Sequence, residues 1–304
     1  MQQWLKKVRV TFATGGLVIN PGNATDEQLR VEFRISKTLS SSPNGAEVHL
    51  WNLSESSRNS VGKELDDLVL EAGYIGSSPF GTAGSVGIIF KGQVRDVRHV
   101  VYQGRGIDTI VTCGDGVKAM RKSHISQTFP KGDDAQKVCE SVYEEFSKEG
   151  VDQGEWKFPE DLQKFKRPYS VCEPCVSAMN TVSRTNKFYW SIQNGAMEIV
   201  PANGYLPGTV YLSSSCGMVG VPTITDNGIR VVSRINPEIR PNRTITVASE
   251  TLKLNAVSGV YRIGALEYYG DNMEGDFNIN IEAESVQSGD TVDEGISVRK
   301  ALPV

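Results

Sequence analysis

Apolar and polar side chains alternate with a period of two through the first third of the chain. Val8, Val10 and Phe12 are separated by charged or polar residues, and Leu29, Val31, Phe33 and Ile35 alternate with Arg30, Glu32 and Arg34. Successive side chains of an extended strand point to opposite faces, so each run predicts a strand with one face on a core and the other in solvent or an interface. Ala46, Val48 and Leu50 continue the pattern beyond Pro43-Asn44-Gly45, where proline presets φ and the next two residues tolerate a positive φ. Ser54-Glu55-Ser56-Ser57 offers N-caps for a short helix to about Lys63. Strands over 68–74, 88–99 and 108–113 complete six strands and one helix, which suits a small barrel or sandwich. The Gly- and Ser-rich stretch 76–87 reads as a mobile loop.

Near Asp115-Gly116 the spacing changes. Ala135, Val138, Cys139, Val142 and Phe146 recur at helical intervals while Glu140, Glu144, Glu145 and Lys148 face away, which predicts an amphipathic helix over 133–148. Ser170-Val171-Cys172-Glu173 has the form of a capping box and predicts a second helix carrying Val171, Cys175, Ala178, Met179 and Val182 inward. Pro174 would be tolerated in its first turn, where an amide needs no partner. Asn194-Gly195 between two apolar runs, 187–193 and 196–200, is a strong hairpin signal. Strands return at 229–235, 244–248, 260–269 and 277–283, and residues 287–304 lack periodicity and read as a flexible tail. The expected class is α+β, mainly β, with β modules at 1–115 and 206–286 around an α+β insert at 116–205.

The chain has 304 residues, 32 Lys and Arg against 36 Asp and Glu, and a net charge of -4. That balance argues against a surface that holds nucleic acid by attraction to phosphate. No run approaches the roughly 20 apolar residues that span a bilayer, and none has signal-peptide form, so synthesis in a cytosol without a membrane anchor is expected. The five cysteines, Cys113, Cys139, Cys172, Cys175 and Cys216, are scattered and odd in number, which is not a disulfide framework.

The sharpest catalytic candidate is Cys172-Glu173-Pro174-Cys175, since a thiol at a helix N-terminus has its pKa lowered, as in thiol-disulfide oxidoreductases. Those enzymes place the motif directly after a strand, whereas Phe165 to Tyr169 reads here as an extended loop. Zinc would need four ligands, and no second cysteine pair or histidine pair follows; His49, His99 and His124 are dispersed. The acid pairs Asp66-Asp67, Asp133-Asp134 and Glu144-Glu145 could suggest glycoside hydrolysis, but adjacent acids on a helix or turn ordinarily solubilise it. Phe188, Tyr189 and Trp190, with Tyr268 and Tyr269, could form a ligand platform; strand alternation would bury half and expose half as interface anchors. Arg95, Arg98 and Arg105 could contact DNA. No catalytic, metal or cofactor site is expected, and the chain is read as not an enzyme.

Three ordered groups of words carry a family likeness: 40–54 followed by Ala72-Gly73-Tyr74 and Phe90-Lys91-Gly92-Gln93-Val94; Trp190 to Gly195; and Gly217 to Gly220, Ile235 to Arg243, Gly259 to Arg262 and Gly270 to Phe277. Together they resemble the baseplate hub proteins of contractile-tailed bacteriophages, the tail-tube-like family that connects tube and central spike. The resemblance implies tail-tube-type β-barrel modules and a homotrimeric ring, two modules per chain giving six around the axis. It implies as partners the tail tube protein, the central spike protein, and tape-measure and baseplate wedge proteins, with DNA only in transit through the lumen. The implied location is the virion tail baseplate, after synthesis in the host bacterial cytoplasm. The alternatives are a thiol-disulfide oxidoreductase centred on Cys172 and Cys175, or a carbohydrate-binding tail component.

Overall fold

A computed structural model describes residues 5–22, 28–75, 86–104, 106–226, 228–249 and 259–285. The first third forms β1 (Leu5–Phe12), β2 (Val18–Ile19), β3 (Val31–Thr38), β4 (Gly45–Trp51), α1 (Glu55–Ser60), β5 (Asp67–Ile75), β6 (Val86–Tyr102) and β7 (Gly106–Gly114). The middle comprises α2 (Val117–Lys122), β8 (His124–Phe129), α3 (Ala135–Ser147), β9 (Asp152–Trp156), β10 (Tyr169–Pro174), α4 (Cys175–Thr185), β11 (Phe188–Gln193) and β12 (Ala196–Pro201). The last third holds β13 (Thr209–Leu212), β14 (Met218–Thr225), β15 (Gly228–Arg234), β16 (Thr244–Val247), β17 (Val260–Asp271) and β18 (Phe277–Glu284). Of the loop expected at 76–87, residues 76–85 lie outside the described residues and Val86 already belongs to β6; the tail at 287–304 and Arg105 also lie outside.

The mainly β class holds, and the first and last thirds share one sheet of order β14-β15-β18-β17-β3-β4-β7-β6-β5-β1-β2. That order contains the same unit twice. β3-β4-β7-β6 and β14-β15-β18-β17 are each a hairpin laid beside a second, reversed hairpin, antiparallel throughout. The likeness extends to detail. β5 pairs with the first half of β6, Val86 to Gln93, as β16 pairs with the first residues of β17, Val260 to Arg262. A register shift then follows in each, between Val94 and Asp96 and between Ile263 and Ala265. Beyond its shift β17 leaves β16 and pairs with β3, Ala265 opposite Thr38 through Asp271 opposite Glu32. This ladder joins the two units.

One continuous hydrophobic cluster underlies both units, from Val8, Phe33 and Phe90 to Ile229, Tyr261 and Phe277. A second cluster belongs to the middle of the chain, where α3 and α4 lay Val138, Val142, Ala178 and Met179 on Phe188, Trp190 and Ile192 of β11. The helix predicted at 133–148 is α3, capped by the Asp134 carboxylate on the Gln136 N–H at 3.0 Å. The Asn194-Gly195 hairpin also forms, with φ of 55° and 80° as a type I′ turn requires.

Two expectations fail. The capping box at Ser170 is instead strand β10, paired with β8 from Tyr169–Phe129 to Pro174–His124. The reason lies in Pro174, whose ring disfavours helical backbone at Glu173, so the chain stays extended and α4 begins at Cys175 with no side-chain cap. The aromatic alternation fails as well. Phe188, Tyr189, Trp190 and Tyr268 are all buried, because β11 is covered on both faces: Phe188 and Trp190 meet the helices, while Tyr189 packs with Leu39, Val200 and Leu206.

Candidate assembly surface

The cysteine pair is divided by the β10–α4 boundary. Cys172 is exposed on a strand opposite Ser126, whereas Cys175 is the fully buried first residue of α4, where burial raises its thiol to about 11. The exposed thiol therefore lacks the helix terminus that would activate it, and the thiol at that terminus is inaccessible. No disulfide joins any of the five cysteines; Cys113 and Cys139 are buried and their thiols are likewise pushed up by desolvation.

Histidines and acids are engaged locally. His49 lies 2.8 Å from Asp108 and 3.2 Å from Glu47, His99 lies 3.0 Å from the Thr109 hydroxyl, and His124 lies 3.0 Å from the Lys122 carbonyl. Asp66 is buried and accepts the N–H and O–H of Thr14 at 3.0 and 2.5 Å, so it ties a turn together rather than solubilising one. Glu145 pairs with Lys148 on the surface at 2.6 Å. Among the described residues no group of three or more His, Cys, Asp or Glu is placed to hold a metal ion. No described helix is long and apolar enough to cross a membrane.

What the chain does concentrate is buried charge where the β11–β12 hairpin meets the large sheet. Asp115 just after β7 is fully buried and accepts the backbone N–H groups of Asn194 and Gly195 at 2.7 and 3.0 Å. Fully buried Lys37 on β3 donates to the Asn194 side-chain oxygen at 2.5 Å. Desolvation pushes the Asp115 carboxyl up and the Lys37 ammonium down, and the charge of each opposes the shift in the other. Asn44 donates to the Ile192 carbonyl at 2.8 Å and Gln193 to the Thr38 carbonyl at 2.7 Å.

Further along the hairpin, Arg243 grips Glu198 with two bonds of 3.0 Å, both side chains 5% exposed, and reaches Glu155 at 2.9 Å. Asn242 donates to the same Glu198 at 2.8 Å. Arg262 donates to the carbonyls of Ala202 and Gly204 at 2.7 and 2.8 Å, pairs with Glu284, and stacks 5.4 Å over the Tyr189 ring. Burying charge is costly unless every partner is in place, so this polar seam fixes one orientation of the hairpin on the sheet.

The exposed surface offers strand edge. Beyond Val94, β6 pairs with β7 on one side and with no described strand on the other, and β14 pairs with β15 alone among the described residues. Both edges carry exposed apolar side chains: Val101 is 72% and Tyr102 42% exposed on β6, and Val221 is 64% and Ile224 38% exposed on β14. The Tyr102 ring lies 5.6 Å from that of Trp51, tilted by 33°, and Trp51 also meets the Arg30 guanidinium at 5.4 Å and donates its indole N–H to Glu32 at 3.0 Å. Arg95 and Arg98 lie on this exposed half of β6, and Arg98 meets Asp96 at 3.3 Å. Sequence reading passed over β14 because Gly220 and Pro222 interrupt its apolar pattern, yet a proline is confined to edge strands for lack of its N–H.

A sequence profile of the baseplate hub gp41 family matches residues 7–283. No curated protein matches the chain in sequence. Among solved structures, the chain is similar to the 43 kDa tail protein of prophage MuSo2 from Shewanella oneidensis, with a TM-score of 0.58 at 10% identity over 92% of this chain and 98% of that one. A tail protein from Neisseria meningitidis MC58 gives 0.58 at 9% identity over 91% and 96%. The Escherichia coli c3393 protein, described as a type VI secretion component similar to bacteriophage T4 tail proteins, gives 0.60 at 9% identity over 88% and 76%. At these identities the likeness is one of fold.

Proposed function

Because the chain belongs to the baseplate hub gp41 family, we propose that it forms a homotrimeric ring that joins a sixfold tail tube to a threefold central spike and lets DNA pass through its lumen. Its role is structural, as a component of the virion tail baseplate. The observation that carries the finer reading is the doubled four-strand unit, β3-β4-β7-β6 and β14-β15-β18-β17. A chain with two like units presents six of them in a trimer, which matches a sixfold tube on one side while the chain count stays at three for the spike.

In this reading the modules are 1–115, 116–205 and 206–286, followed by 287–304. The polar seam supports the boundary of the middle module, since buried charge lines the contact of β11–β12 with the sheet beside only the small apolar cluster of Leu39, Tyr189 and Val200. Partners are the tube protein above, the spike protein below, and tape-measure and wedge proteins. DNA is a passing occupant only, consistent with the net charge of -4.

The test is the mass of the purified protein, alone and with its tube and spike proteins, together with a symmetry-averaged image of the tail. A threefold density between tube and spike is expected. A protein that stays monomeric and joins neither partner overturns the proposal.

A further inference from the structure

A cleft of about 520 Å³ opens on the middle segment between residues 157–161, Lys187 and the turn 201–204. That size lies within the roughly 300–1,000 Å³ usual for ligand sites. Its charges are unpaired. Among the described residues the side chains of Glu160, Asp161 and Lys187 have no hydrogen-bond or ion-pair partner, and the Lys157 ammonium only overlies the Tyr205 ring at 5.8 Å. Two ammonium groups and two carboxylates therefore line one concave space without a counter-charge bonded to any of them.

The backbone holds these residues in place. Lys187 has φ 56°, a left-handed conformation that strains any residue with a Cβ and that persists only where the surroundings impose it. Its carbonyl accepts the Ala202 N–H at 2.9 Å, which sets it beside the turn 201–204. Lys157 donates its N–H to the Ile199 carbonyl at 2.9 Å, and Phe158 meets Trp156 and Phe188 edge to face. The arm that carries Glu160 and Asp161 thus starts from a packed aromatic residue.

The last strand ends at this cleft. Arg262 pairs with Glu284 of β18 at 2.5 Å and donates to the carbonyls of Ala202 and Gly204 at 2.7 and 2.8 Å, so one guanidinium sets the end of β18 beside the turn that forms the cleft's rim. The sequence beyond Ser285 carries three acids, Asp290, Asp293 and Glu294, and then two bases, Arg299 and Lys300. Five residues of extended chain reach about 17 Å, which brings Asp290 within range of the lysines.

We propose that residues 290–300 dock in this cleft of their own chain, the acidic run against Lys157 and Lys187 and the basic pair against Glu160 and Asp161. The order of charges matches, since the lysines flank the turn that β18 reaches and the carboxylates follow along the arm. The occupant is this segment rather than a foreign peptide because its short tether gives it an effective concentration in the millimolar range. Exposed ion pairs are weak singly, and several acting together on a tethered segment suffice to close the cleft. The docking needs no other protein and stands whether or not the chain forms a ring.

A carbodiimide, which joins an ammonium to a touching carboxylate, tests this on the full-length protein at low salt. Cross-links from Lys157 or Lys187 to Asp290, Asp293 or Glu294 are expected within single chains, and high salt should suppress them. Cleavage after Arg299 by an arginine-specific protease should quicken about tenfold when Lys157→Glu and Lys187→Glu are combined, at unchanged melting temperature because both side chains are exposed. Adding Asp290→Lys, Asp293→Lys and Glu294→Lys to that variant should restore the slow rate. Equal cleavage rates in parent and variant, a charge swap that restores nothing, or cross-links found only between two chains would each overturn the proposal.

Discussion

The Lys37 ammonium donates a 2.5 Å hydrogen bond to the side-chain oxygen of Asn194, across 157 positions of sequence. Lys37 is fully buried on β3 and Asn194 caps the β11–β12 turn, so a single contact ties the sheet to the hairpin of the middle segment. Asp115 holds the same turn through two backbone amides.

Removing one charge from this group should be far worse than removing both. Asp115→Ala strands the Lys37 ammonium without its counter-charge and orphans two amides, and is expected to cost about 3–5 kcal/mol. Lys37→Met combined with Asp115→Asn should cost clearly less than the sum of the single changes. Denaturant unfolding of the four proteins measures the coupling, and strict additivity would show that the two residues act independently.

Glu198→Gln should be similarly severe, because Arg243 is 5% exposed and loses both of its bonds of 3.0 Å to a full charge. About 3–5 kcal/mol is expected. Glu155→Gln, on the exposed partner of the same guanidinium, should cost under about 1 kcal/mol. The difference between the two melting shifts is the readout.

His49 supplies a pH dependence. Desolvation alone would lower its pKa, but hydrogen bonds to Asp108 and Glu47 outweigh it and hold the value above 6.5. A raised imidazolium pKa stabilises the fold fully below the unfolded value of 6.5, and that contribution disappears as pH rises through the folded value. His49→Gln should therefore flatten the loss of stability above pH 6.5. Equal slopes for the parent and the variant would refute this.

Thiol reactivity separates the cysteines. Cys172 should react with a maleimide in the native protein, while Cys139 and Cys175 should react only on unfolding. Cys172→Ser should leave melting unchanged, since its side chain is exposed on β10.

Gly116→Ala should destabilise by at least about 1–2 kcal/mol. Gly116 has φ 64°, and a methyl group there would collide with the Ile192 side chain of β11. Gly104→Ala, at φ 76° with open space around it, provides the comparison that isolates backbone strain from collision.

Where side chains obey one local rule, the chain could be read directly. The alternation around Val8, Phe33 and Val48, the helical spacing of α3 and the Asn194-Gly195 turn each fixed an element because burial selected one face. Where two rules competed, reading failed. At Ser170 to Glu173 the capping pattern was outvoted by the backbone restriction that Pro174 imposes, and at β11 a strand buried on both faces erased alternation. The polar seam was illegible for another reason: Lys37, Asp115, Asn194 and Glu198 look like surface residues until the fold brings them together. The exposed edges at Tyr102 and Val221 share that difficulty, because only pairing order shows which strand lacks a neighbour among the described residues.

The β17–β3 ladder also has a kinetic meaning. Both strands belong to one chain, so the seam forms as a first-order event during folding and persists at any dilution. A ladder of the same topology between molecules is second order and must offset roughly 4–15 kcal/mol of lost translational and rotational freedom. In the ring proposed above, fusing two units would remove concentration from every second seam.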